Sequence, residues 1–145
     1  MLTVGFETDR ETLAELYRTL SLDIPVGGAN FVMRENGDPV GLMRAEVGEK
    51  VTITHFKVKN EEINPGDKEF FLRAMLFKFS LNPVLLAVPG RRPELERFGF
   101  RFEEGEMRLN SAEVDLSARG RGRRKKLSIY FRARVMRAHL SNPAR

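Results

Sequence analysis

Hydrophobic and polar positions along the chain change period several times, and each change marks an element. Residues 2–6 alternate weakly and predict a short strand. Leu13, Leu16, Tyr17 and Leu20 then recur at helical spacing. Thr8 and Glu11 stand ahead of them at the spacing of a capping box, in which a hydroxyl and a carboxylate each satisfy an orphan amide. Together they predict a helix over about 9–20. Segment 21–30, rich in Pro and Gly, reads as loop. Residues 31–35 and 38–47 are apolar-led runs on either side of Asn36-Gly37. That dipeptide favours a tight hairpin because both residues tolerate positive φ. Gly48-Glu49-Lys50 makes a second turn. Residues 51–58 then alternate, with Val51, Ile53, His55 and Lys57 on one face and Thr52, Thr54, Phe56 and Val58 on the other. These three segments predict an antiparallel meander.

The second half changes texture. Residues 59–67 form a polar loop ending in Pro65-Gly66-Asp67. Residues 69–79 are apolar around most of the helical circumference, the mark of a helix buried on more than one side. Asn82-Pro83 stops it. Residues 84–88, VLLAV, are continuously apolar, as a strand covered on both faces would be. Pro93 opens a short helical turn over 94–98 that Gly99 can cap. Residues 100–103 and 106–109 read as two short strands. The order β, α, β, β, β, α, β, α, β, β predicts an α/β fold with a mixed sheet. A helix between strands 51–58 and 84–88 makes a crossover, so those two strands should run parallel.

Charge alters the picture of the chain's end. The whole chain of 145 residues carries a net +5. Residues 1–116 hold 15 Lys/Arg against 20 Asp/Glu, a net of −5, while 117–145 hold 10 Lys/Arg and no acid. The body is acidic and only its extension is basic. Within the extension, Arg119, Arg121, Arg123, Arg124, Lys125 and Lys126 lie among two glycines, a composition that suits an extended, solvated contact to phosphates. Nucleic acid and an acidic protein are the partners this segment predicts. Residues 127–140 are too apolar for a mere tail. Their first half fits period two and their second half a helix, with a helix the favoured reading, packed on the body or on a partner.

Absences narrow the chemistry. There is no Cys, so disulfides, thiol nucleophiles and thiolate metal sites are excluded. Only two His are present, His55 and His139, and no metal site is expected. No apolar run approaches the roughly 20 residues of a membrane span. The start of the chain lacks a basic region followed by an apolar stretch, so a cytoplasmic location is expected. No P-loop or dinucleotide glycine pattern occurs.

Three stretches carry a resemblance. FVMRENGDPVGLMRAEV (31–47), ITHFKVKNEEINPGDKEFFLRAML (53–76) and RFGF (97–100), in this order of elements, resemble the GNAT N-acetyltransferase superfamily over residues 1–109. The resemblance implies a GNAT-like mixed, mostly antiparallel sheet flanked by helices, with 110–145 as a basic C-terminal extension. It also implies an acyl-CoA-dependent N-acyltransferase, using acetyl-CoA or another acyl-CoA as co-substrate and an amine as acceptor. The fourth strand would splay from the fifth and admit the pantetheine arm. The backbone near His55–Val58, with Phe56 and Val58, would polarise the thioester carbonyl. Gly66, Asp67, Lys68 and Glu69, at the loop and first helical turn, would meet the pyrophosphate.

The carry-over is incomplete at named positions. Gly66 fits the family's central loop glycine, but Ile63 stands where Gln or Arg is usual and Lys68 where Gly or Ala is. The family's proton-donating tyrosine would fall at Leu95. No carboxylate lies within 51–58, which leaves His55 as the candidate base, against the alternative of a half-buried strand histidine with a hydrogen-bond partner. Pro65-Gly66-Asp67 is equally explained as a turn and helix cap, and Glu46 as a solvated strand-end carboxylate. The runner-up function is a non-catalytic GNAT-like module whose basic tail contacts nucleic acid or a protein.

Overall fold

The computed structural model describes residues 1–117. The basic run 119–126, the segment 127–140 and His139 lie outside the described residues. Seven strands form one sheet in the order β1-β2-β3-β4-β5-β7-β6. They are β1 Leu2–Glu7, β2 Ala29–Glu35, β3 Asp38–Val47, β4 Val51–Val58, β5 Leu85–Pro89, β6 Arg101–Glu103 and β7 Glu106–Asn110. All pairings are antiparallel except β4 with β5, which the crossover requires to be parallel. The helices are α1 Arg10–Thr19 and α2 Pro65–Leu81. The turn after β5, Pro93–Phe98, is a 3-10 helix.

The helices take opposite faces. Leu16, Tyr17 and Leu20 of α1 pack on Val32 and Leu42. The neighbouring positions Phe31, Met33 and Met43 face the other way, onto Phe70, Phe71 and Met75 of α2. A strand pointing alternate residues at two helices carries apolar residues in succession, which is why β2 and β3 do not alternate in sequence. The β2–β3 hairpin turns through Asn36 and Gly37, with φ of 52° and 94°.

Three sequence expectations need correction. The cap of α1 is not Thr8 but Asp9, whose carboxylate accepts from the Thr12 amide at 3.0 Å and the Thr12 hydroxyl at 2.7 Å. That places the helix start one residue later and leaves Glu11 outside any box. Helix α2 begins at Pro65 rather than Glu69. Proline suits a first helical turn, whose amides have no intrahelical partner. Finally, residues 110–116 pack on the body. Ser111, fully buried, donates to Phe79 O and accepts from the Val84 amide, both at 2.8 Å. Val114 and Leu116 pack against the cluster around Phe98.

Candidate functional site

A bulge decides what β4 presents. Arg44 pairs with His55 and Ala45 with Ile53, so Thr54 is an extra residue with no partner on β3. The alternation read from sequence breaks there. Val51 and Ile53 share the α2 face with Phe56 and Val58, not with His55 and Lys57. His55 instead meets Tyr17 of α1 edge-on, ring centroids 6.1 Å apart, and Lys57 Nζ donates to Leu20 O at the end of α1.

Just past the bulge the sheet opens. Strands β4 and β5 pair only at Val51–Leu86 and Thr52–Ala87. Beyond Thr52 they diverge, and a cleft of about 320 Å³ lies between them. Its floor comes from Ile53, Thr54, His55 and Phe56 of β4 and Val88 of β5. One wall is the start of α2, with Pro65, Lys68, Glu69 and Leu72. The other is the segment after β5, with Arg92, Glu94, Leu95 and Arg97.

His55 is anchored from behind. Its Nδ1 lies 2.8 Å from Thr54 Oγ1, which leaves Nε2 as the ring nitrogen without a protein partner among the described residues. Thr54 Oγ1 accepts from Arg44 Nη1 at 2.9 Å. Arg44 is buried, and it also donates to Gly27 O, Val26 O and Glu46 at 3.0–3.1 Å. The α1–β2 loop is thus pinned to the bulge through one guanidinium. The sequence left Glu46 as a solvated carboxylate, and its side chain is 60% exposed even in this pair. Tyr17 donates to Asn30 Oδ1 at 2.5 Å. Burial pushes its phenol pKa up, and the nearby Arg44 charge only partly opposes this.

The α2 wall is held by charge. Arg73 Nε donates to Glu69 at 2.6 Å, and Arg97 donates to the same carboxylate. Burial works to raise the Glu69 pKa, but the two guanidinium bonds prevail and hold it below 4.5. Lys68 pairs with Glu61 at 3.3 Å and lies over the Phe56 ring at 5.2 Å.

The residues proposed from sequence fall into two groups. His55, Phe56, Lys68 and Glu69 line the cleft. Val58 does not. Its side chain is buried beneath Phe71 and Gly41, and its amide already donates to Glu61 at 3.3 Å. Gly66 and Asp67 flank the cleft at the first turn of α2, and a Cβ on Gly66 would meet nothing within 4 Å, so a ligand can approach that backbone. The sequence reading missed Arg92, Glu94 and Arg97. Their signal was a charged run directly after a central strand, where open α/β sheets place ligands.

The apolar floor and open helix start suit a thin, largely apolar ligand with an anionic end. Solved structures share this fold. The ribosomal-protein-S18-alanine N-acetyltransferase from Escherichia coli matches with a TM-score of 0.58 at 15% identity, over 74% of this chain and 89% of that one. A GNAT family acetyltransferase from Brucella melitensis, solved in complex with acetyl-CoA, matches with a TM-score of 0.58 at 11% identity, over 76% and 88%. The fold is that of the GNAT superfamily. No family model matches the sequence, and no curated protein matches it. Leu95, where the resemblance would put a tyrosine, is buried in the cleft wall. Among the described residues the one tyrosine is Tyr17, on the far side of His55. No described helix is long and apolar enough to cross a membrane.

Proposed function

We propose that this chain is an acyl-CoA-dependent N-acyltransferase. The observation that carries the reading is the divergence of β4 from β5 immediately after Thr52, which opens an apolar slot beside His55. In the reaction an amine nitrogen attacks the thioester carbonyl, the carbon–sulfur bond breaks, and one proton leaves the amine. His55 is the group placed to take that proton. In the tautomer that serves this role, Nδ1–H donates to Thr54 Oγ1 and Nε2 accepts from the amine. The thiolate leaves without help from a tyrosine, since Leu95 cannot donate a proton. An alkyl thiol has a pKa near 8.5, so its thiolate is a competent leaving group without a proton donor. The acceptor is an amine, and the α1–β2 loop pinned by Arg44 borders the side from which it would approach His55.

The test is ligand-linked stability. Acetyl-CoA at a hundred times its Kd raises stability by about 2.7 kcal/mol, a shift easily read in thermal melts. No shift at millimolar acetyl-CoA or CoA would remove both the enzyme and any CoA-binding reading. If CoA binds, His55→Ala should lower kcat by roughly a hundredfold or more while leaving CoA affinity unchanged.

A second reading is carried by the charge division. It makes the body a non-catalytic module and the run 119–126 the contact to a polyanion. It predicts steeply salt-dependent binding to duplex DNA or RNA that is lost when the six cations become Gln. Salt-independent or unchanged binding would clear the run of that role.

A further inference from the structure

The start of α2 is poorly equipped to hold phosphate by itself. Ile63, 76% exposed, puts an aliphatic chain where the resemblance expects a cation or amide. Asp67 adds a carboxylate within the first turn. Lys68 is the turn's single cation, and Glu61 already shares it. If acyl-CoA enters this cleft, its phosphates need a further positive partner, and the segment after β5 carries three arginines, two of which line the opposite wall.

Those arginines are not equivalent. Arg97 is spent on Glu69. Arg91 stacks on the Phe102 ring at 4.0 Å, against β6 and away from the cleft lining. Arg92 lines the cleft, and its Nε donates to Pro89 O at 3.3 Å. No carboxylate pairs with it among the described residues. The segment that bears it is stiff. Gly90, at φ +88°, turns the chain and its amide donates to Gly105 O at 2.8 Å, while Pro93 fixes the next residue. A guanidinium held by its Nε keeps its two terminal nitrogens for a ligand, and that planar fork matches a phosphate better than an ammonium does.

We propose that Arg92, facing Lys68 across the mouth of the cleft, is a phosphate-binding residue for the nucleotide half of acyl-CoA. This rests on the acyl-CoA reading above. The phosphate load is moved from the loop to the segment after β5, which offsets the loss of the loop's own cation at Ile63.

Isothermal titration of the full chain with CoA tests it. Arg92→Gln should weaken CoA binding by about tenfold or more, the worth of one charge-assisted hydrogen bond. Arg92→Lys should recover part of the loss. Arg101→Gln, an exposed arginine on β6 outside the cleft, should cost less than about twofold and controls for net charge. Pantetheine, which has no phosphate, should bind wild type and Arg92→Gln with the same Kd. Equal losses in Arg92→Gln and Arg101→Gln, or an Arg92→Gln affinity like wild type, overturn the assignment while leaving the acyl-CoA reading intact. A wild-type chain that binds no CoA overturns both.

Discussion

Removing the Glu69 carboxylate should destabilise the protein far more than removing the arginine it holds. Arg73 has 4% of its side chain exposed and Glu69 23%, so the cation is the deeper partner. Arg73 has three outlets. Nε bonds Glu69 at 2.6 Å, Nη1 bonds Leu116 O at 2.6 Å, and Nη2 is buried with no partner. In Glu69→Gln one amide oxygen must serve both Arg73 and Arg97, and the amide nitrogen meets a donor with a donor. A buried cation losing its counter-charge costs about 3–5 kcal/mol. Glu69 keeps some water, so about 3 kcal/mol is expected. For 145 residues the unfolding entropy is about 0.3 kcal/mol per kelvin, which makes this a fall of about 10 °C in Tm. Arg73→Met takes the buried charge and its orphaned nitrogen away together, so it should cost no more than about 1 kcal/mol. The double variant should resemble Arg73→Met, not Glu69→Gln. Urea unfolding of the four proteins reads all of this. A Glu69→Gln cost under about 1 kcal/mol, or a double variant as weak as Glu69→Gln, refutes the argument. The pH dependence has a fixed sign. The Glu69 pKa is depressed in the fold, so its contribution is present above 4.5 and lost as pH falls through the lower folded value. Acid unfolding should therefore be shallower in the double variant.

Gly41→Ala should cost about 1–3 kcal/mol in urea unfolding, because its Cβ would meet Phe71 at 3.1 Å and Val58 at 3.2 Å, both fully buried. Gly27→Ala and Gly28→Ala form a pair. Both sit at positive φ, which costs about 1 kcal/mol, but only Gly28 would drive a Cβ to 2.7 Å from the Arg44 guanidinium. Gly28→Ala should therefore be worse by a further 1–2 kcal/mol, read from thermal melts, and equal losses would show that Arg44 gives way freely. Turnover with an acyl-CoA should rise from about pH 7 to about 8.5, as a larger share of the acceptor amine becomes neutral and nucleophilic. A flat profile would mean that the acceptor amine is already neutral when it binds.

The element order was legible because strands and helices here keep their periods. Asn36-Gly37 gave the hairpin by backbone chemistry alone, and the apolar run ending at Val88 gave a central strand. The parallel pairing of β4 and β5 followed from the crossover. What was not legible is the irregular part. Nothing in TITHF marks Thr54 as a bulge, because a threonine fits a regular strand as well. A one-residue insertion then exchanges the faces of every later residue, so Phe56 and Val58 were placed opposite to where they lie. The cap failed for a similar reason. Thr8 and Asp9 are both good caps, so propensity does not choose between them, and it is the Asp9 carboxylate that accepts from the Thr12 amide.

The bulge at Thr54 sits where the splay begins, just past Thr52, the last β4 residue paired with β5. A regular β4 would send Val51, Ile53, His55 and Lys57 to α2, burying an imidazole and an ammonium against Phe71 and Met75. The extra residue at Thr54 restores apolar residues to that face and turns His55 toward Tyr17 and the cleft. It also leaves Thr54 with no paired residue on β3, and its Oγ1 donates to Arg44 O at 3.3 Å, accepts from Arg44 Nη1 and meets His55 Nδ1. The same irregularity that hides the site from the sequence therefore builds it. The core on one face of β4 and the chemistry on the other are satisfied together only if the strand is broken between Ile53 and His55.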